Sequence, residues 1–250
     1  MKLRDAVILV TGANRGIGLA FAEVALARGA RRVYAGARDP SKITLARVEP
    51  VKLDVTSAED VAAAATACQD VTLVVNNAGV ATPGSLLVPG GIEATRAHLE
   101  TNLFGILRMT QSFAPVLASN GGGAILNVIS VASWINNGWL NAYAVSKSAA
   151  WSLTNGLRNE LRQQNTQVLA LHMGFVDTDM TKSLDVPKSS PQSIASEAFD
   201  ALEAGASEVL ADERSRQIKL GLTADPPVYL SDLMAAYRGA TASSGTFRSE

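Results

Sequence analysis

A tyrosine and a lysine four residues apart have the clearest chemical potential in this sequence. In Tyr143-Ala-Val-Ser-Lys147 the two side chains fall on one face of a predicted helix. A phenol has a reference pKa of about 10, so it can exchange a proton near neutral pH only if its phenolate is stabilised. A lysine ammonium on the same helix face supplies that stabilisation. Taken alone, this spacing also fits an ordinary surface pair.

A serine hydroxyl is a third candidate group for the same chemistry. Ser130 lies thirteen residues before Tyr143, at the end of the predicted strand Ala124–Ile129. Its hydroxyl can hydrogen-bond to a substrate carbonyl. A proton donor, a cation and a carbonyl ligand together indicate acid–base chemistry at a carbonyl or alcohol.

A glycine-rich turn, Thr11-Gly-Ala-Asn-Arg-Gly-Ile-Gly18, follows the first apolar segment. Glycines permit a sharp turn and close approach of a pyrophosphate, and the following helix directs free N–H groups at the anion. The turn therefore predicts a dinucleotide site. The spacing of Gly12, Gly16 and Gly18 differs from the commoner G-x-G-x-x-G. The alternative is a tight strand–helix turn without a ligand.

The end of the second predicted strand indicates which dinucleotide would bind. About 20 residues past such a turn, an acid would bind the ribose 2′-hydroxyl of NAD, whereas an arginine would accommodate the 2′-phosphate of NADP. Arg38 occupies this position, and Arg15 in the glycine turn can face the same phosphate. Two guanidinium groups suit a dianion. We interpret Asp39 as a turn residue before Pro40, with a ribose contact as the alternative.

Short apolar segments alternate with segments of helical spacing along the chain. The predicted strands are Ala6–Val10, Arg32–Gly36, Val51–Asp54, Thr72–Val75, Ala124–Ile129, Gln167–His172 and Glu208–Leu210. The predicted helices are Ile17–Arg28, Ala58–Cys68, Glu93–Leu117, Ala142–Arg162 and Pro191–Leu202. This alternation predicts an α/β fold: a single-domain, doubly wound, Rossmann-type parallel sheet of about seven strands with helices on both faces.

Two segments lie outside this pattern. The loop from Gly174 to Ser190 is long and lacks periodicity, which is typical of a functional lid or of disorder. The core is expected to span about residues 5–222, and the tail from about 227 to 250 is expected to be loose.

The ordered combination of motifs resembles the short-chain dehydrogenase/reductase family over about residues 5–180. The matching segments are TGANRGIG, Asp54-Val55, Asn76-Asn-Ala-Gly79, Asn102 in TNLFG, Ser130 and YAVSK. The resemblance implies the strand order 3-2-1-4-5-6-7. It also implies an oxidoreductase that moves a hydride between NADP(H) and a carbonyl or alcohol.

The resemblance implies roles for individual residues. Tyr143 would be the general acid/base, Lys147 would lower its pKa and bind the ribose, Ser130 would orient the carbonyl, and Asn102 would hold a proton-relay water. The implied cofactor contacts are Gly12, Asn14, Arg15, Gly16, Ile17, Gly18, Arg38, Asp54, Val55, Asn76, Ala78, Gly79, Tyr143, Lys147, Gly174, Val176 and Thr178.

The chain departs from the family pattern in two places. Met173 stands where the family usually has proline, which puts the rigidity of that turn in doubt. The family's frequent glycine-rich C-terminal ending is replaced by the charged run 212–216, so tetramerisation is not implied. The helices matching Glu93–Leu117 and Ala142–Arg162 often pair across a two-fold axis in the family, and we expect a homodimer. The alternative is that the leucines of the second helix face only their own sheet.

The substrate pocket is expected between Tyr143 and the loop after the sixth strand. The residues expected to line it are apolar: Trp134, Ile135, Trp139 and Leu140 on one side, and Met173, Phe175, Met180 and Leu184 on the other. No lysine or arginine lies between Ser130 and Tyr143, although Lys182 could approach from the loop. The pattern predicts a hydrophobic ketone or aldehyde, with an aryl or extended alkyl group, in preference to sugars and charged acids. The alternative is that the tryptophans pack against the loop or a neighbouring subunit.

Composition restricts the remaining function classes. Lys plus Arg (22) nearly balances Asp plus Glu (23), which argues against nucleic-acid or anionic-membrane binding. The single cysteine, Cys68, fits a reducing, cytoplasmic setting, and the two histidines show no metal-ligand spacing. A catalytically silent dinucleotide-binding regulator of the same fold is the main alternative, and a scaffold or nucleic-acid protein is a weaker one.

Overall fold

Seven parallel strands form one sheet in the computed structural model, which describes residues 1–230. The strands are β1 (Val7–Thr11), β2 (Arg32–Ala37), β3 (Glu49–Lys52), β4 (Leu73–Asn76), β5 (Gly123–Val128), β6 (Thr166–His172) and β7 (Glu208–Leu210). Their order is β3-β2-β1-β4-β5-β6-β7. The predicted fold class and strand order are confirmed.

Helices cover both faces of this sheet. They are α1 (Gly16–Ala27), α2 (Ala58–Ala67), α3 (Gly91–Leu99), α4 (Gly105–Ser119), α5 (Asn141–Glu160), α6 (Pro191–Glu203) and α7 (Glu213–Gly221). Helices α1 and α6 pack on one face, where Phe21 and Phe199 meet edge to face with ring centres 5.2 Å apart. Helices α2, α4 and α5 contribute the core on the other face. Because the strand order reverses between β1 and β4, a crevice opens at the carboxyl ends of the strands.

Three elements differ from the sequence-based prediction. Strand β3 begins two residues earlier than expected, and it contains Pro50, which an edge strand tolerates. The long predicted helix is interrupted by a π-helical turn, Glu100–Phe104. Helix α7 was not predicted because its sequence is mostly charged. The signal that could have found it is a capping box, in which the Asp212 carboxylate accepts from the Ser215 N–H at 2.7 Å.

The leucines of α5 settle one alternative left open by the sequence. Leu157 and Leu161 are buried in the core beneath the sheet, and Leu153 packs against that core. These side chains therefore face their own sheet and do not supply an apolar surface for a second subunit. The homodimer itself stays a prediction.

The segment between Gly174 and Ser190 is folded into a compact loop. A bridge joins Val176 to Ser189, and a short 3-10 turn covers Asp179–Thr181. Of the expected loose tail, residues 231–250 lie outside the described residues. Across residues 1–230, no helix is both long enough and apolar enough to cross a membrane.

Candidate active site

The π-helical turn between α3 and α4 places Asn102 inside the protein, where it is completely buried. Its side-chain amide bonds both backbone groups of Val80, accepting from the N–H and donating to the carbonyl oxygen, each at 2.9 Å. It also donates to the Ser146 hydroxyl at 2.9 Å, and that hydroxyl donates to the Tyr143 carbonyl oxygen at 2.7 Å. Asn102 therefore fixes the segment after β4 to the start of α5. Widened turns of this kind are frequent at functional sites.

Tyr143 and Lys147 lie in the first turns of α5, as the sequence predicts. The Lys147 ammonium is buried and donates to the Val128 carbonyl oxygen at 2.8 Å, which holds it 5.6 Å from the centre of the Tyr143 ring. Gly79 lies beside both Asn102 and Lys147, since a Cβ atom there would be 3.2 Å from Asn102 Oδ1 and 3.8 Å from Lys147 Nζ. The fold thus brings all these predicted residues to one place.

Burial sets the protonation of this pair. It raises the pKa of the Tyr143 phenol to about 12, and the hydrogen bond with the Ser130 hydroxyl opposes this rise. It lowers the pKa of Lys147 to about 8, because the ammonium loses its hydration. At neutral pH the phenol therefore carries its proton and the lysine remains mainly charged. The phenol can therefore donate a proton, but the expected lowering of its pKa by Lys147 is not seen, because burial has the larger effect.

Ser130 lies two residues after β5 and is supported from behind by groups that the sequence did not single out. Its carbonyl oxygen accepts from the Ser133 hydroxyl at 2.7 Å and lies 3.2 Å from His172 Nδ1. His172 is fully buried at the end of β6. Its only sequence signal was its place at the carboxyl end of a predicted strand, beside the strand that carries Ser130.

The glycine turn forms a cradle with no room for side chains. Gly12 and Gly16 adopt φ angles of +66° and +57°, which favour glycine. At Gly18 a Cβ atom would lie 2.2 Å from the Gly12 carbonyl oxygen. Helix α1 begins at Gly16, so its first N–H groups open onto this cradle. The geometry fits the pyrophosphate of a dinucleotide.

Hydrogen bonds join the cradle to the end of β4. The Thr11 hydroxyl accepts from the backbone N–H groups of Asn77 and Ala78, each at 2.9 Å. The Asn77 side chain donates to the carbonyl oxygens of Thr11 and Gly12, at 2.9 and 3.3 Å. Asn77 belongs to the Asn76–Gly79 motif, but its spacing in the sequence did not indicate this role. Its amide is what closes the turn.

The two predicted phosphate ligands have different surroundings. Arg38 follows β2 directly, is exposed, and has no hydrogen bond or ion pair with any described residue. Arg15 forms an ion pair with Asp179 of the 174–190 loop, with Nη1 and Oδ2 3.1 Å apart. Asp39 caps the turn Pro40–Lys42 by accepting from Ser41, in agreement with its interpretation as a turn residue.

The other predicted cofactor residues surround the same crevice. The Asp54 carboxylate accepts from the Thr56 N–H at 2.9 Å, and Val55 is buried against Gly105. The buried Asn76 amide donates to the Asn127 side chain at 2.8 Å and is used within the fold. The remaining predicted contacts occur in three groups, at the glycine turn (Asn14, Ile17), after β4 (Ala78) and after β6 (Gly174, Val176, Thr178).

The 174–190 loop reaches back to the glycine turn. A Cβ atom at Gly16 would lie 3.3 Å from Thr178 Cγ2, so the loop and the turn are nearly in contact. The loop is anchored at its start by the Gly174 N–H, which donates to the Asp212 carboxylate at 2.7 Å. It therefore forms one wall of the crevice, and it is held there by α7.

Comparison with known proteins supports this geometry. The short chain dehydrogenase family model matches residues 6–188. A short-chain dehydrogenase from Burkholderia cenocepacia, solved in complex with NADP, is 38% identical with a TM-score of 0.87, covering 94% of this chain and 98% of that one.

Two curated relatives are also similar to this chain. An uncharacterized oxidoreductase of Staphylococcus saprophyticus is 30% identical over 220 residues, which span 81% of this chain and 93% of the relative. The 3-oxoacyl-[acyl-carrier-protein] reductase of Vibrio cholerae is 34% identical over 197 residues, spanning 74% of this chain and 79% of the relative.

This chain belongs to the short-chain dehydrogenase family.

A cavity of about 250 Å³ adjoins Tyr143 and Ser130 in this short-chain dehydrogenase. Its walls come mainly from the 130–144 connection and from the loop after β6, with smaller contributions from α1, from the segment after β4 and from α7. Seven of the eight apolar residues expected to line it do so: Ile135, Trp139, Leu140, Met173, Phe175, Met180 and Leu184. Lys182 is exposed and does not line the cavity. Arg214 of α7, which the sequence analysis did not consider, does.

Trp134 is the eighth residue, and its predicted place in the pocket is wrong. Its indole stacks on the His172 ring, with ring centres 3.9 Å apart, and meets Trp151 edge to face. The Lys219 ammonium lies 4.5 Å from the indole centre. The side chain thus packs behind Ser130, between α5 and α7, because the chain turns immediately after β5. Trp139 remains in the cavity wall.

Proposed function

We propose that this short-chain dehydrogenase moves a hydride between NADP(H) and a carbonyl or alcohol, reducing hydrophobic ketones or aldehydes. The observation that carries the proposal is the convergence of Ser130, Tyr143, Lys147 and Asn102 beside an apolar cavity. The glycine cradle opens at the same edge of the sheet. A silent dinucleotide-binding regulator would need the cradle but would have no use for Ser130 or Tyr143 at a cavity.

Each residue of the site has a separate role in the proposed carbonyl reduction. The bound nicotinamide supplies the hydride. The carbonyl oxygen accepts hydrogen bonds from the Ser130 and Tyr143 hydroxyls, which places it for protonation. Tyr143 then donates its proton to that oxygen as negative charge develops there. The Lys147 ammonium stabilises the resulting phenolate, and Asn102 holds the start of α5 in register through Ser146.

Arginine placement supports NADP(H) over NAD(H). Arg38 is exposed at the end of β2 without a partner among the described residues, so its guanidinium is available to a 2′-phosphate. Arg15 extends from the adjacent glycine turn. The similar Burkholderia enzyme was solved with NADP. The apolar character of the cavity wall supports the substrate class.

The proposal is tested by following NADPH oxidation against a panel of aryl and alkyl ketones and aldehydes. The wild-type protein should turn over hydrophobic members of the panel. Tyr143→Phe should reduce kcat by about 10²–10⁴-fold, the range for loss of a general acid. NADPH binding, measured by fluorescence, should change little in that variant.

Two results would contradict this assignment. Binding of NADPH without turnover of any carbonyl compound would favour the regulatory alternative. Substantial activity in Tyr143→Phe would show that another group donates the proton.

A further inference from the structure

One residue with a charged side chain lines the substrate cavity within the part of the chain that the structure describes. Its walls are mainly apolar, and its polar groups include Ser130 and Tyr143 at the reacting end. The charged side chain is Arg214, in the first turn of α7. A cationic group in such a wall is unexpected if the ligand is purely hydrophobic.

The position of Arg214 is built into the fold. The Asp212 carboxylate accepts from the Ser215 N–H and from the Gly174 N–H, both at 2.7 Å, so the start of α7 is fixed to the start of the 174–190 loop. The aliphatic part of Arg214 lies against Gly174, where a Cβ atom would be 2.9 Å from Arg214 Cγ. The glycine thus makes room for the arginine stem at the cavity wall.

No described carboxylate neutralises this guanidinium. Asp212 already accepts two backbone N–H groups, and Glu213 pairs with Arg216 at 3.2 Å. Arg214 itself makes no hydrogen bond or ion pair with another described residue, although it is half-buried. Cations in partly apolar surroundings are normally paired, and a guanidinium matches the geometry of a carboxylate.

We propose that Arg214 binds a carboxylate on the substrate. The inference rests on the proposed function and departs from the sequence-based expectation of an uncharged substrate, because that expectation did not include Arg214. The substrate is a ketone with an apolar body that fills the cavity and a carboxylate that reaches Arg214. The carbonyl lies at Ser130 and Tyr143, and the apolar wall near Trp139 contacts the carbon chain between the two ends. Arg214 is a specificity-determining residue and takes no part in the proton or hydride transfer.

The probe is a series of benzoyl carboxylic acids of increasing chain length, from benzoylformate to benzoylbutyrate, each compared with its methyl ester. In the wild-type protein one chain length should show a higher kcat/KM for the acid than for the ester. Arg214→Met keeps the aliphatic packing on Gly174 and removes the charge. It should lower the acid-to-ester ratio by about tenfold or more, the size expected for losing a charge-assisted hydrogen bond.

Arg216→Met is the matched control, because Arg216 lies on the same helix and its guanidinium is directed to Glu213 and to the Leu210 carbonyl oxygen. It should leave the acid-to-ester ratio unchanged. Arg214→Glu should reverse the preference for the acid over its ester.

An unchanged acid-to-ester ratio in Arg214→Met, with esters still reduced, would overturn this inference and leave the proposed function standing. If Arg214→Met weakened NADPH binding as much as it lowered the acid-to-ester ratio, the guanidinium would be assigned to the cofactor. That result would also overturn the inference.

Binding without turnover separates the two proposals. In Tyr143→Phe with NADPH, calorimetry should show the acid binding more tightly than its ester, and adding Arg214→Met should remove that difference. If the wild-type protein reduces no carbonyl compound, the proposed function fails, while this measurement still decides whether Arg214 binds a carboxylate. Equal affinity for acid and ester, both in Tyr143→Phe and in the double variant, would show that Arg214 does not bind a carboxylate.

Discussion

The two sides of the active-site crevice are constructed differently. On the cofactor side, the glycine turn and the end of β4 are neighbours in the sheet, and hydrogen bonds donated by the backbone and side chain of Asn77 to Thr11 hold them together. On the substrate side, the wall comes from five separate segments, and several of its side chains, Met180 among them, are exposed. The rigid side can fix the reacting groups, whereas the other side can vary in sequence without disturbing them. We expect substitutions on the two sides to act on different kinetic quantities.

The largest effect is expected at Lys147, where the two sides meet. If Lys147 has the proposed roles of stabilising the phenolate and binding the ribose, Lys147→Met should lower kcat by about 10²–10⁴-fold and should also weaken NADPH binding. In the wild-type protein, kcat/KM for reduction should be level near pH 7 and should fall above about pH 8. The pKa of Lys147 is lowered to about 8, so the ammonium is lost as the pH rises through that value.

Steady-state rates between pH 6 and 10 would check this prediction. Lys182→Met, at an exposed lysine of the loop, serves as the control and should keep the wild-type profile. A reduction rate that stays level well above pH 8 would show that Lys147 is not the titrating group.

The next largest effect is expected from Arg38. Arg38→Ala should weaken NADPH binding by about tenfold or more and should change NADH binding little, because a charge-assisted contact to the 2′-phosphate contributes about 1.5–3 kcal/mol. The measurement is the dissociation constant of each cofactor. Arg31→Ala, beside the other end of β2, is the matched control. Equal losses for NADPH and NADH would mean that Arg38 does not contact the 2′-phosphate.

This contrast also shows how far sequence reasoning reaches. The glycine turn, the Tyr143–Lys147 pair and Arg38 were predicted because each is local: its chemistry follows from spacing within one turn or from the end of one strand. Arg214 could not be found that way, since it reaches the cavity only after β7 and α7 are placed and Gly174 makes room for it. Trp134 was misplaced because spacing along an irregular connection does not say which way an indole points.

A smaller, several-fold effect should separate Trp139 from Trp134. Trp139→Ala should lower kcat/KM for an aryl ketone relative to a short aliphatic ketone, since losing about 50 Å² of apolar contact costs about 1.2 kcal/mol. Trp134→Ala should leave that ratio unchanged and should lower thermal stability instead, because the indole packs on His172 and Trp151. If Trp134→Ala changed this ratio of kcat/KM values, Trp134 would contact the substrate after all.

The smallest effect is expected at the ion pair that joins the two sides. Arg15 and Asp179 are 3.1 Å apart, and both side chains are 68% exposed. Such surface pairs contribute about 0–1 kcal/mol, so their loss should hardly change the melting temperature. If Arg15 also binds the 2′-phosphate, however, Asp179 competes with that phosphate for the same guanidinium. Asp179→Asn should then bind NADPH about twofold to fivefold more tightly, with no change for NADH.

Salt dependence distinguishes competition from a general change in charge. The gain in Asp179→Asn should shrink as ionic strength rises, because an exposed pair is screened. Asp177→Asn removes the same charge from the same loop, and Asp177 makes no ion pair with Arg15, so it should bring a smaller gain. Equal gains in both variants would indicate a long-range effect of the loop's charge. Tighter NADPH binding in Asp179→Asn alone would mean that the 174–190 loop lowers cofactor affinity through the Arg15–Asp179 ion pair. The two sides of the crevice would then be coupled at that ion pair.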